Sequence, residues 1–373
     1  MFNKFKKITK GLCALSVISL ATVGTVQAQL GDAGAILRAG ADDANTLMES
    51  YLAPYTKGFG AGLNTGWFNT AKAHPTLGFD ISLNVSAAVI PGSDQIFDVS
   101  QLALQQLEVV SGGSETPTVA GDKSTNTEVG IFATNPQNGN REEVARFGLP
   151  GGSGFPYAPA PMIQASLGIV KDTDITLRYI PEFTAPVVDA GVGLFGVGVK
   201  HGINQWLPGG KLLPVDLSVQ IGYNKFNANA NFNVNPEEGS DIYNPYNASQ
   251  WDGQGIDLET TATTYNAIVG KTVPFISVYG GIGFETSKTS LQTPGAYPVT
   301  SFNPNYDPNS NDPETREKRI ESVESPIDLE IKDNNSMRAF AGLRFSLAVF
   351  RISASYTISN YSTFNVGVGF GLR

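Results

Sequence analysis

Thiol chemistry is close to absent from this sequence. Cys13 is the single cysteine in 373 residues, which excludes a disulfide framework within the chain and any cysteine-rich metal site. Histidine is nearly as scarce. His74 and His201 are the only two, and neither sits in a nucleophile elbow or a zinc-ligand pair. Charged residues make up 16% of the chain with a net charge of −9, so a nucleic-acid surface of clustered lysine and arginine is excluded. After residue 28 no apolar run approaches the roughly 20 residues of a membrane helix. If that part of the chain lies in a membrane it must do so as a closed barrel, the other architecture that satisfies every backbone group in lipid.

What is present begins with a basic start, Lys4, Lys6, Lys7 and Lys10, followed by an apolar stretch from Gly11 to about Val23 and the small-residue site Val26-Gln27-Ala28. This is the pattern of a cleaved Sec signal peptide over residues 1–28. Removing its four lysines takes the net charge from −9 to −13 and leaves no cysteine. The spacing of Ala41, Ala44, Leu47, Met48, Tyr51 and Leu52 predicts a helix over residues 32–52, with Pro54 as its stop. The segment 29–56 is accordingly read as an N-terminal helix that plugs the lumen or lies at the periplasmic rim.

From Gly58 the period changes to two. Phe59, Ala61, Leu63, Thr65 and Trp67 alternate weakly, and Phe79, Ile81, Leu83, Val85, Ala87 and Val89 alternate strictly with Asp80, Ser82, Asn84, Ser86 and Ala88. Similar segments recur to the C-terminus, where Phe364, Val366, Val368, Phe370 and Leu372 alternate with Asn365 and three glycines. One face apolar and the other small or polar is the pattern of a transmembrane strand with a lipid side and a lumen side. Beyond Lys225 the phase slips, so that Phe226, Ala228 and Ala230 oppose a run of asparagines, which marks a bulge or a strand leaving the bilayer. About eleven strands are visible. Barrels of this kind have even numbers, so one more is expected between Gln95 and Asn135, at Val109-Val110 or Val129–Phe132. Short links near 171–173 and 271–273 read as periplasmic turns, and the polar stretches 111–160, 235–254 and 289–325 as outer loops.

The fold class is therefore all-β: an antiparallel transmembrane β-barrel of about 12 strands, 14 being the next count, over residues 57–373, with a short N-terminal helix. Its expected place is the cell outer membrane, and its expected partners are outer-membrane lipid and the barrel-assembly machinery, which would read the C-terminal strand. Asp80, Arg178, Asp216, Glu285, Arg338 and Arg344 fall on non-lipid faces, as does Lys200, and are candidate lumen-lining residues; ion pairs among them would form a constriction or neutralise a filled interior. His74 reads as a turn-surface residue, Gly151-Gly152-Ser153-Gly154 as a loop without the spacing of a serine motif, and the acidic segment 305–317 as a solvated loop without the pattern of a calcium loop. No catalytic residue, cofactor or metal is expected, and the chain is read as non-enzymatic.

The run Leu52-Ala53-Pro54, then Gly58 to Lys72 with Gly66-Trp67-Phe68-Asn69-Thr70, then Leu77-Gly78-Phe79-Asp80, resembles the opening of an uncharacterised outer-membrane family from Bacteroidota, most firmly over residues 32–90. That resemblance implies location and no activity. More distantly, the leader helix and strand layout are similar to long-chain fatty-acid outer-membrane channels, which implies passage of hydrophobic molecules, although the Asn-Pro-Ala motif of those channels is absent. The expected function is a pore or transporter for small or hydrophobic molecules; the alternative is a closed structural or surface-interaction barrel acting through its long outer loops.

Overall fold

In a computed structural model the described residues are Ile36, 41–185 and 190–372; the expected signal peptide and Arg373 lie outside them. The wall is formed by β1 (Phe79–Val89), β2 (Tyr157–Ile169), β3 (Thr173–Ala185), β4 (Ala190–Gly202) and β5 (Asp216–Asn231), followed by β6 (Gly255–Thr272), β7 (Ile276–Gln292), β8 (Asp328–Leu347), β9 (Phe350–Ile358) and β10 (Thr363–Leu372). Each strand pairs with the next, and β10 pairs antiparallel with β1, Phe79 opposite Leu372, so the sheet closes on itself. Closure leaves no free edge, as lipid demands.

Ten strands stand in place of the twelve expected. The weak alternation of residues 59–67 belongs to the end of a helix and the irregular chain just after it, and the two stretches at 327–331 and 337–347 fall on one strand, β8. The candidate extra strand is real but does not enter the wall: Leu107–Ser111 and Glu128–Thr134 pair with each other, and Arg141–Gly148 adds a third strand, in a separate sheet. A second small sheet joins Ile242–Tyr243, Lys318–Glu324 and Ala296–Phe302. The outer loops are thus a folded collar.

Along β1 the even residues Asp80, Ser82, Asn84 and Ser86 are buried inward while Ile81 and Val85 are exposed outward. The outward apolar band continues around the wall through residues such as Val197, Ile221, Ile282, Ile352 and Val366. Higher up, the polarity of the two faces inverts. Outward come Asn227, Asn229 and Asn231 of β5, Asp257, Glu259, Lys288 and Glu330, while Phe226, Leu258, Leu291 and Leu329 turn inward. The pairing of β5 with β4 and β6 runs unbroken through this change. Of the two readings of the phase slip, the strand leaving the bilayer is therefore the right one. A span needs about 9–11 residues, whereas β5 has 16 and β8 has 20.

The helix α1 (Ala41–Asn64) runs through Pro54, which does not stop it. Its first half lies among the collar. The Asp43 carboxylate is buried and accepts backbone N–H groups of Gln105, Gln106 and Leu107 at 2.7–2.9 Å, and Leu47, Met48 and Tyr51 share an apolar cluster with Leu107, Phe147, Leu291, Tyr297 and Leu329. Its second half descends into the lumen, and residues 65–78 continue down to the end with the short turns, where Leu77 bonds Gly168. There β1 begins.

Candidate functional site: a bolted plug beneath an apolar chamber

A ten-strand barrel leaves little width for a helix, and the sequence supplies a narrow one. A Cβ at Gly58 would press on Ile90 and Ala158, one at Gly60 would overlap Ser287, and one at Gly62 would meet Ala160. Glycine lowers helix propensity, but here the wall confines the helix and backbone closeness is what lets it fit. Below it, Trp67 lies flat on the wall where Gly198 and Gly222 leave space for its ring.

The helix end is capped by the barrel. The last carbonyls of a helix have no intrahelical partner, and cations are favoured there. Arg178, fully buried, donates to the carbonyls of Leu63 (2.6 Å) and Thr65 (2.8 Å), reaches Gln164 at 3.1 Å, and stacks over Trp67 with its guanidinium 3.7 Å from the ring. Arg338 donates to the Asn64 carbonyl at 2.9 Å and forms an ion pair with Glu285 at 3.0 Å. The Asn224 amide also donates to Leu63, at 2.9 Å. Further down, Arg344 holds Asn69 at 2.8 Å, Lys200 donates to the carbonyls of Thr70 and Lys72, and Asp174 ties Lys200 (2.9 Å) to His74 (3.1 Å). Asp80 pairs with Arg351.

All six candidate residues lie on the inward face. Five are buried, and Asp216 is half-buried at the foot of β5. One of the expected pairings is seen among them, Glu285 with Arg338. Asp80 takes Arg351 instead, and Arg178 takes carbonyls. Arg351, Asp174 and the role of Lys200 were missed, although extending the inward phase back from Ser353 reaches Arg351 and back from Thr176 reaches Asp174. His74 is corrected outright: it is buried against Asp174, not on a turn surface, because the plug chain carries it under the wall. Gly151 and Gly152 are packing residues whose Cβ would strike the backbone of Lys123 and Gly121. In the acidic loop, Asp307 and Asp312 accept the N–H groups of Asn309 and Glu314 and build turns.

Above the bolts the interior becomes apolar. A cavity of about 200 Å³ lies between α1 and the wall, lined by Tyr55, Thr56, Phe59 and Leu63 from the helix and by Pro159, Pro161, Ile180, Val192, Phe226, Ala228, Leu258 and Thr260. Phe59 and Phe226 meet edge to face at 4.8 Å on its floor side. One of its lining residues, Leu258, packs against the apolar cluster that holds Tyr297 of the collar. Tyr297 is buried there, accepts the Gly255 N–H at 3.0 Å and donates to the Gly255 carbonyl at 2.9 Å; burial pushes its hydroxyl up to about 12, so it stays a donor at neutral pH. Thr56 turns its hydroxyl back to the Ala53 carbonyl at 3.1 Å, and Thr260 bonds Thr289 at 2.9 Å. The two threonines thus present mainly methyl groups to the space.

Solved structures similar to the chain include Ail, the attachment invasion locus protein of Yersinia pestis (11% identity, 80% of this chain and 100% of that one, TM-score 0.24), the translocator domain of the autotransporter NalP from Neisseria meningitidis (11%, 80% and 89%, 0.29) and the outer membrane protease OmpT from Escherichia coli (10%, 79% and 95%, 0.27). These superpositions are shallow. No curated protein matches the chain. Residues 5–372 match a family of unknown function, DUF6588, and the chain belongs to that family.

Proposed function

We propose that this is an outer-membrane barrel that takes a small lipophilic molecule into its upper chamber for transport, without chemistry of its own. The observation that carries this is the chamber itself. A water-filled pore would want a polar lumen open from end to end, but the lower lumen is filled by residues 58–76 and its polar side chains hold the plug. The chamber, by contrast, is apolar and sits where the wall faces have inverted. A dry cavity of about 150 Å³ is enough to bind benzene, so one of about 200 Å³ admits a compact apolar molecule or a length of alkyl chain. A non-enzymatic role is supported by the histidines: His74 is held by Asp174, and His201 by Thr173 and Trp206. Outer-membrane lipid is the proposed medium, and the assembly machinery the proposed reader of β10.

The test is binding of N-phenyl-1-naphthylamine, whose fluorescence rises in apolar surroundings, to the detergent-solubilised protein. Wild type should bind saturably, and Ala228→Trp, which fills the chamber from β5, should weaken binding at least about tenfold, since the ligand would lose its space. Equal binding by both would refute the chamber as the site. The rival reading, a closed barrel acting through its collar, is favoured by the ordered outer sheets; it predicts no saturable binding by either protein.

A further inference from the structure

The wall is not closed to the same height all round. β2 pairs with β1 from Tyr157 to Leu167 but with β3 only from Gln164 to Ile169, opposite Thr173–Arg178. Above that point β3 stays with β4, through an irregularity between Ile180 and Phe183. Residues 157–163 and 179–185 therefore flank a seam with no ladder across it.

Two prolines mark its edge. The Ile90 N–H donates to the Pro156 carbonyl, across the β1–β2 pairing. Hydrogen-bonding direction alternates along an antiparallel strand, so even-numbered residues of β2 aim at β1 and odd-numbered ones at β3. Pro159 and Pro161 occupy positions whose N–H would point into the seam. A donor left bare in lipid is costly, and proline removes it. At 3.3 Å per residue and a tilt of about 40°, six paired residues put the base of the seam roughly 15 Å above the 170–172 turn, past the middle of an apolar band about 25 Å tall. The chamber reaches the same place: Pro159 and Pro161, with their rings on the outward face of β2, line it together with Tyr55 and Phe59 of the helix.

We propose that this seam is a side opening through which an uncharged, lipid-dissolved molecule passes between the outer leaflet and the chamber. The inference rests on the chamber being a binding site. It adds that the substrate class is set by partition into lipid rather than by diffusion from water, because the Tyr297 cluster packs against Leu258 on the collar side and the way down is shut by Arg178 and Arg338.

The mature chain, expected to lack cysteine, permits a direct test. The register of Gln164 with Arg178, continued upward, sets Pro161 opposite Pro181. A Pro161→Cys, Pro181→Cys variant is reconstituted in phosphatidylcholine vesicles, and filling from the bilayer by N-phenyl-1-naphthylamine is followed by energy transfer from the protein's tryptophans. Oxidation should slow filling about tenfold or more, as expected of a gated step, with recovery on reduction, each rate being read against the equilibrium binding of the same redox state in detergent. Filling at the same rate in both redox states overturns the seam while leaving the chamber standing; absence of binding in detergent by wild type overturns the chamber and the seam with it. If the disulfide does not form, Pro159→Val with Pro161→Val supplies the missing donors, and should slow filling and protect new amides from exchange. Wild-type filling by that variant also overturns the proposal.

Discussion

At the residue scale the lumen is an arrangement of buried charges whose partners are backbone carbonyls as often as carboxylates. Among the described residues no carboxylate pairs with Arg178, yet its guanidinium serves the helix end, Gln164 and the Trp67 ring together. Arg178→Lys should behave as a loss, because an ammonium lacks the flat fork that bonds both carbonyls and Gln164 while lying on the Trp67 ring. The expected result is a lower midpoint in heat-induced unfolding on SDS gels, by about 1–3 kcal/mol for each carbonyl left bare; an unchanged midpoint would contradict the capping role. Asp80→Ala strands the buried Arg351 and should cost on the order of 3–5 kcal/mol, whereas Asp216→Ala, at a half-buried position at the foot of β5, should cost far less. Which side chains face inward was legible in the sequence, because the two-residue period fixes the face of Asp80, Arg178, Glu285, Arg338 and Arg344. Which partner each one meets was not, since ion pairs such as Asp80 with Arg351 join the first and ninth strands of the wall, and no local pattern encodes strand adjacency across closure.

At the element scale the helix and the long strands show two places where a pattern misled and one where it was right. Pro54 reads as a stop because proline cannot donate to the preceding turn, but a helix caged by a barrel wall and capped by two arginines tolerates the loss. The alternation from Phe59 to Trp67 reads as a strand, yet the same residues are helix and plug, with Gly58, Gly60 and Gly62 against the wall. Gly60→Leu should therefore push the plug from its seat. The measurement is planar-bilayer conductance: wild type should be nearly silent and the variant should show channels, while a silent, folded variant would argue that the plug has room to spare. The inversion beyond Lys225 was legible as a change of phase, and it reports the height at which lipid gives way to water on the outside.

At the scale of the whole molecule the chain is threaded. β1 begins and β10 ends at the end with the short turns, but the start of α1 lies among the long loops. With long loops outside, as is usual for such barrels, the first half of the helix is expected to face the cell exterior. Glu49, exposed on α1, and Asp172, exposed in the opposite turn, provide the check. Glu49→Cys should react with a membrane-impermeant maleimide on intact cells, and Asp172→Cys only after permeabilisation. The reverse pattern would invert the barrel.

The amino-acid order alone determined the strand period and which face of each strand is greasy, because both depend on neighbours within about ten residues. The number of wall strands, the plug that fills the lower lumen, the chamber above it and the unpaired seam beside Pro159 and Pro161 were decided by the tertiary structure. All four depend on closure, which sets the width available to the helix and brings residues hundreds of positions apart within bonding distance.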